Sequence, residues 1–197
     1  MIDISIETIL KMISNRNTSY KLFLMKYLIK NISGDKTIFS FKELSCGMVS
    51  ESWQHYEYNY FRYTKNDRIF DLIQYAIESS SQITIYSSNK QAFDFLWNSD
   101  DKNIIRMLKR LTSVVQYRLL VPFIDSIELI GLKWNKQNKY IKEKSKIIDM
   151  FYTINEDSIL VNSDWVKYIC LNREIILKTV EGIIDDEYQK KNNGICR

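Results

Sequence analysis

The sequence predicts a mainly α, multi-helix globular domain with one small β-hairpin at about residues 150–161. Three observations predict it. Backbone breakers are scarce, with one Pro and five Gly in 197 residues, which disfavours a loop-rich β architecture and favours helices joined by short turns. Apolar residues recur at helical spacing along most of the chain. Finally, two short apolar runs, Phe151-Tyr152-Thr153-Ile154 and Ile159-Leu160-Val161, flank the polar Asn155-Glu156-Asp157-Ser158, the pattern of a hairpin. A chain of this length fits a single domain spanning residues 1–197, and an aromatic fraction of 13% is enough to fill its core.

The first helix is read over Ile4–Ile13, where Ile6, Ile9, Leu10 and Ile13 form one stripe. Thr18 or Ser19 can cap a second, Tyr20–Ile32. Its apolar positions run nearly all the way round, which marks it as central and buried; Gly34 and Asp35 end it. Ser40-Phe41-Lys42-Glu43 has the form of a capping box, opening a third helix to about Trp53. Gln54–Lys65 alternates tyrosines without a helical stripe and is read as extended or irregular. Asn66 or Thr64 then caps a fourth helix, in which Ile69, Leu72, Ile73, Ala76 and Ile77 share a face. Ser79–Asn89 reads equally as a loop or a short strand, and Gln91–Trp97 as a short helix. Asp100 and Asp101 sit where anions suit a helix start, with the helix running to about Val115. Tyr117–Phe123 continues it as a second piece up to the lone Pro122. Trp134–Asn138 is read as a linker and Tyr140–Met150 as a Lys-rich helix. After the hairpin, Asn162 or Ser163 caps a helix carrying Trp165, Val166 and Ile169. A last long helix is read over Arg173–Lys191, followed by a frayed polar tail.

The composition excludes several chemistries. A single histidine, His55, rules out a two-His metal site and a His-rich nuclease centre. The three cysteines, Cys46, Cys170 and Cys196, form no CxxC pair to seed a zinc site. Their odd number and wide spacing argue against a disulfide framework and for a reducing, cytoplasmic setting. Cys46 with His55 as its base is the one nucleophilic pairing available, and nothing visible lowers that thiol's pKa. No glycine pattern for phosphates or dinucleotides occurs, so no cofactor is expected. No apolar run approaches the length of a membrane span, and the start lacks the pattern of a signal peptide. The acidic run Asp185-Asp186-Glu187 reads as a solvated helix face beside Lys190 and Lys191.

Basic residues offer the strongest binding signal, although the net charge is only +4. Lys102, Arg106, Lys109, Arg110 and Arg118 recur on one side of a helical stretch, and Arg62, Lys65 and Arg68 crowd the Tyr-rich one. Arg and Lys with neighbouring Tyr can hold a phosphate backbone and stack on bases. The competing reading is a wet helix face with the tyrosines packed in the core.

A set of residue blocks adds to this. They are Thr18-Ser19-Tyr20-Lys21, Phe41-Lys42-Glu43-Leu44, Met48 with Trp53 and Tyr58, and Tyr63-Thr64-Lys65-Asn66-Asp67-Arg68-Ile69. Tyr117-Arg118-Leu119-Leu120-Val121-Pro122-Phe123, the hairpin before Trp165, and Tyr188-Gln189-Lys190-Lys191-Asn192 complete them. In order and spacing these resemble the N-terminal region of bacterial two-domain HNH endonuclease proteins, across nearly the whole chain. Ser52-Trp53 and Lys65-Asn66-Asp67-Arg68 match the family's central motif, whereas His55 stands where the family tends to have Pro and Thr64 where it tends to have Gly. A family member would continue past Gln189–Arg197 into its HNH domain, and the metal-binding and catalytic histidines of that domain match no position here. The resemblance therefore implies a nuclease-associated domain without the nuclease.

The expected function is a non-catalytic DNA-recognition or assembly domain, with Arg62, Lys65, Arg68, Arg106, Lys109, Arg110 and Arg118 as candidate contacts. The alternative is a protein-interaction module of a bacterial defence or mobile-element system, docking a partner or forming a homodimer. It would require an exposed apolar patch rather than a basic one.

Overall fold

A computed structural model describes residues 3–14, 19–56 and 67–195. Its architecture is mainly α with a small antiparallel sheet, as the sequence pattern predicts. The helices are α1 (Ile6–Ile13), α2 (Tyr20–Asn31), α3 (Phe41–Ser52), α4 (Ile69–Ser79), α5 (Asn89–Asn98), α6 (Lys102–Thr112), α7 (Val115–Arg118), α8 (Ser126–Leu129), α9 (Trp134–Lys144) and α10 (Ser163–Ile195). The strands are β1 (Ile38–Ser40), β2 (Tyr152–Ile154) and β3 (Ser158–Val161).

Helix α2 is the centre of the molecule. Leu22, Phe23, Leu24, Met25, Leu28 and Ile29 are all fully buried, which only a helix covered on every side can achieve. It packs against α3 on one side and α10 on another, and α3 in turn packs on α5 and α6. The α2–α3 approach is close because position 47 is glycine: a Cβ built there would lie 2.3 Å from the Tyr27 ring. Tyr27 cannot easily retreat. Its ring stacks on Phe93 at 6.0 Å and its hydroxyl donates to Glu43 at 3.1 Å.

Capping differs in detail from the sequence reading. Ser19 occupies the N-cap position of α2, but its hydroxyl makes no cap bond. Its amide donates instead to the Asp67 carboxylate at 2.8 Å, from 48 residues away. The same carboxylate accepts from Ile69 N–H at 3.4 Å, so one fully buried acid serves the starts of α2 and α4. Thr64 and Asn66, expected to cap α4, lie outside the described residues, as do Thr18 and most of Gln54–Lys65. At α3 only half of the expected capping box forms. Ser40 accepts from Glu43 N–H at 3.1 Å, while the Glu43 side chain is held by Tyr27 and by Lys36. A complete capping box opens α5 instead, where Ser88 and Gln91 bond reciprocally.

The hairpin forms where expected, with Tyr152 opposite Val161 and Ile154 opposite Ile159. A third strand joins it: β1 pairs with β3, Ile38 opposite Leu160, giving the order β1-β3-β2. Three residues between two helix signals carry too little alternation to announce a strand. Between α4 and α5 the chain forms turns around buried Ile83, and the Thr84 carbonyl accepts from Trp53 Nε1 at 2.9 Å.

Two readings are corrected. Trp134–Asn138 is not a linker but the first half of α9, which stops at Lys144 rather than Met150. Gln137 secures the start by donating to the carbonyls of Leu129 and Leu132, at 3.2 and 3.0 Å. At the other end the Ser145 hydroxyl accepts from Ile154 N–H at 3.0 Å, which turns the chain into the hairpin. The last two helices are one continuous α10 that runs on through the expected tail to Ile195. Asn172, just before the expected start of the last helix, donates back to the Tyr168 carbonyl at 2.9 Å and stays within α10.

Candidate nucleic-acid interface

Helix α6 begins at Asp101, whose carboxylate accepts from Asn103 and Ile104 N–H at 2.6 and 3.2 Å. Those amide bonds and the Tyr75 hydroxyl hold the Asp101 pKa below the usual carboxylate range. The Tyr75 hydroxyl lies 3.2 Å from the same carboxylate and ties the start of α6 to α4. Ile104, Leu108 and Leu111 then turn into the core at 1–3% exposure. This inward stripe fixes the opposite face, where Lys102, Arg106, Lys109 and Arg110 are exposed.

None of these four cations has a carboxylate partner among the described residues. Arg106 reaches only the neutral Asn103 side chain, at 2.9 Å. Several other lysines do have such a partner, among them Lys30 with Glu51 at 2.7 Å, Lys90 with Asp94 at 2.6 Å and Lys144 with Glu128 at 2.9 Å. The α6 cations line a shallow groove of about 480 Å³ along with Ile105 and Ser113.

The remaining candidates fall elsewhere. Arg118 turns inward from α7. Its guanidinium lies 3.3 Å from the centre of the Trp134 ring and donates to Gln137 at 2.8 Å and Asn138 at 3.3 Å, bracing α7 against α9. Burial lowers its pKa. Arg68 sits at the start of α4, its guanidinium bonded to Asp71 at 2.9 Å; that bond raises its pKa. Arg62 and Lys65 lie outside the described residues. So the structure unites Arg106, Lys109 and Arg110 with Lys102 on one face, while the Arg118 guanidinium is engaged with α9.

Sequence reasoning also missed two exposed cations at the start of α9. Asn138 donates to the Ser113 carbonyl at 3.2 Å, joining the end of α6 to α9. There Lys133 and Lys136 are exposed, without a carboxylate partner among the described residues. Reading 134–138 as a linker hid them. The Lys spacing itself, together with the helix-favouring Gln137, was the available signal.

The other sequence candidates have structural surroundings. Cys46 is fully buried and its thiol is pushed up to about 12 by burial, away from the thiolate a nucleophile needs. His55 lies in a cleft with Lys26, Glu181 and Asp185. Burial first, then Lys26, lowers its pKa to about 4, leaving it neutral at physiological pH. No group of three His, Cys, Asp or Glu side chains that could hold a metal ion occurs among the described residues. Nor is any described helix long and apolar enough to cross a membrane. The chain matches no protein-family model, no curated protein and no solved structure.

Proposed function

We propose that this chain is a non-catalytic recognition domain that holds DNA on the outer face of α6, working in a reducing, cytoplasmic setting. One observation carries the reading: Lys102, Arg106, Lys109 and Arg110 crowd one helix face with no acidic partner among the described residues. Their spacing makes Lys102–Arg106 and Arg106–Arg110 like-charge neighbours one turn apart, and Arg106–Lys109 a third such pair. Each pair works against the helix. A bound phosphate backbone would relieve that repulsion and release counterions, which is the sequence-independent source of nucleic-acid affinity. The resemblance to the region preceding an HNH nuclease domain agrees with this role.

The test is a titration of labelled DNA at low ionic strength. The reading expects saturable binding that weakens as salt is added; the absence of binding would end it.

A second reading, a protein-docking module, has its own support. Leu171 and Ile175 lie one turn apart on α10 at 85% and 59% exposure. Substituting both with Glu would abolish a self-association or partner contact made there and leave DNA affinity in place.

A further inference from the structure

Next to the α6 groove is a second cavity, of about 540 Å³, within the range of small-ligand sites. It lies between the start of α3, α6, α7 at Gln116 and Tyr117, and the hairpin loop at Asp157. We infer that this cavity takes one unstacked base of a single-stranded nucleic acid, with the Gln116 side-chain oxygen accepting from the base edge. The inference rests on the reading of α6 as a phosphate-binding face and adds the substrate class.

Three features lead to it. The walls are largely apolar and aromatic, from Phe41, Ile105, Leu108 and Tyr117, as a base's faces require. The small hydroxyls in the lining are already committed: Ser45 donates to the Lys42 carbonyl at 2.9 Å and Thr112 to the Lys109 carbonyl at 3.2 Å. Gln116 is not. It is 2% exposed, and its side-chain oxygen has no hydrogen-bond partner among the described residues. A buried amide oxygen left unpaired in the lining of an apolar cavity needs a hydrogen-bond donor, and base edges include such donors.

Position supplies the link to nucleic acid. Ile105, Lys109 and Ser113 line both this cavity and the basic groove, so phosphates held along α6 would bring a base to its mouth. A duplex keeps its bases paired and stacked and cannot fill the cavity; a single strand can.

The test compares three probes by fluorescence anisotropy at low ionic strength: a single-stranded DNA, its duplex, and a chain of abasic residues of the same length. The single strand should bind about tenfold more tightly than the abasic chain, as the burial of one base requires. In the Gln116→Leu variant that gap should close. The abasic arm uses the unaltered protein, so it holds whether or not the variant folds. Equal binding of all three probes, or a gap that survives Gln116→Leu, overturns the base pocket while leaving the α6 reading standing. Binding of none overturns both.

Discussion

Arg106 is where binding and stability should part company. It has Lys102 and Arg110 one turn to either side and Lys109 three residues on, and its one side-chain hydrogen bond among the described residues is to Asn103 on the exposed surface. Like-charge pairs at these spacings cost roughly 0.2–0.5 kcal/mol each, and opposite charges gain about as much. Replacing Arg106 with Glu converts three repulsions into attractions, and Arg and Glu differ little in helix propensity. Losing the Asn103 bond takes back some of the gain. The net expectation is a protein more stable by about 1 kcal/mol at low salt, or roughly 2–4 °C in Tm for a chain of this size. The gain should shrink in high salt, which screens exposed charges. Urea melts at two salt concentrations, beside a DNA titration, make the assay. Higher stability with weakened binding would tie the α6 charges to function, because unfolding could not explain the loss. A variant less stable than the parent at low salt, or one that binds DNA undiminished, would refute the reasoning.

Three further outcomes follow from the packing and the shifted groups. Gly47→Ala should destabilise the fold by about 2 kcal/mol or more through collision with Tyr27, read as a lower Tm; an unchanged Tm would mean the α2–α3 contact yields easily. His55 is held neutral, with its pKa lowered from 6.5 to about 4, so the unfolded chain takes up the proton first as pH falls. The associated stability is complete above pH 6.5 and is lost on the way down to pH 4, on the order of 3 kcal/mol in all. Denaturant midpoints across that window should fall less steeply for His55→Gln, and parallel curves would count against this account. A thiol reagent followed by peptide mapping should modify exposed Cys170 and spare Cys46; rapid modification of Cys46 in the folded protein would contradict its burial.

Much of the fold was legible because its signals are local. The apolar stripe of α6, the all-round apolar surface of α2 and the two short apolar runs flanking the polar turn of the hairpin each identify their element within a dozen residues. What was not legible depends on partners far along the chain. Asp67 caps a helix start 48 residues earlier, Glu43 leaves its capping box for Tyr27 and Lys36, and β1 exists only because β3 offers an edge. The candidate site divides the same way. The α6 cations could be placed on one face by counting residues. The inward turn of Arg118 needed Trp134, Gln137 and Asn138, all on a helix read as a linker and a later start. Gln116 looked like any polar residue until the walls around it were in place.

The most direct measurement is the salt dependence of DNA affinity for the parent chain and for a variant with Lys102, Arg106, Lys109 and Arg110 all replaced by Gln. Each phosphate contact on duplex DNA contributes a slope of about −0.9 to log K against log salt, so four such contacts give about −3.6. The account predicts a slope near that value for the parent and a collapse toward zero, with affinity lost, for a variant that melts no lower. Equal slopes for the two proteins would place the interface, if there is one, somewhere other than α6.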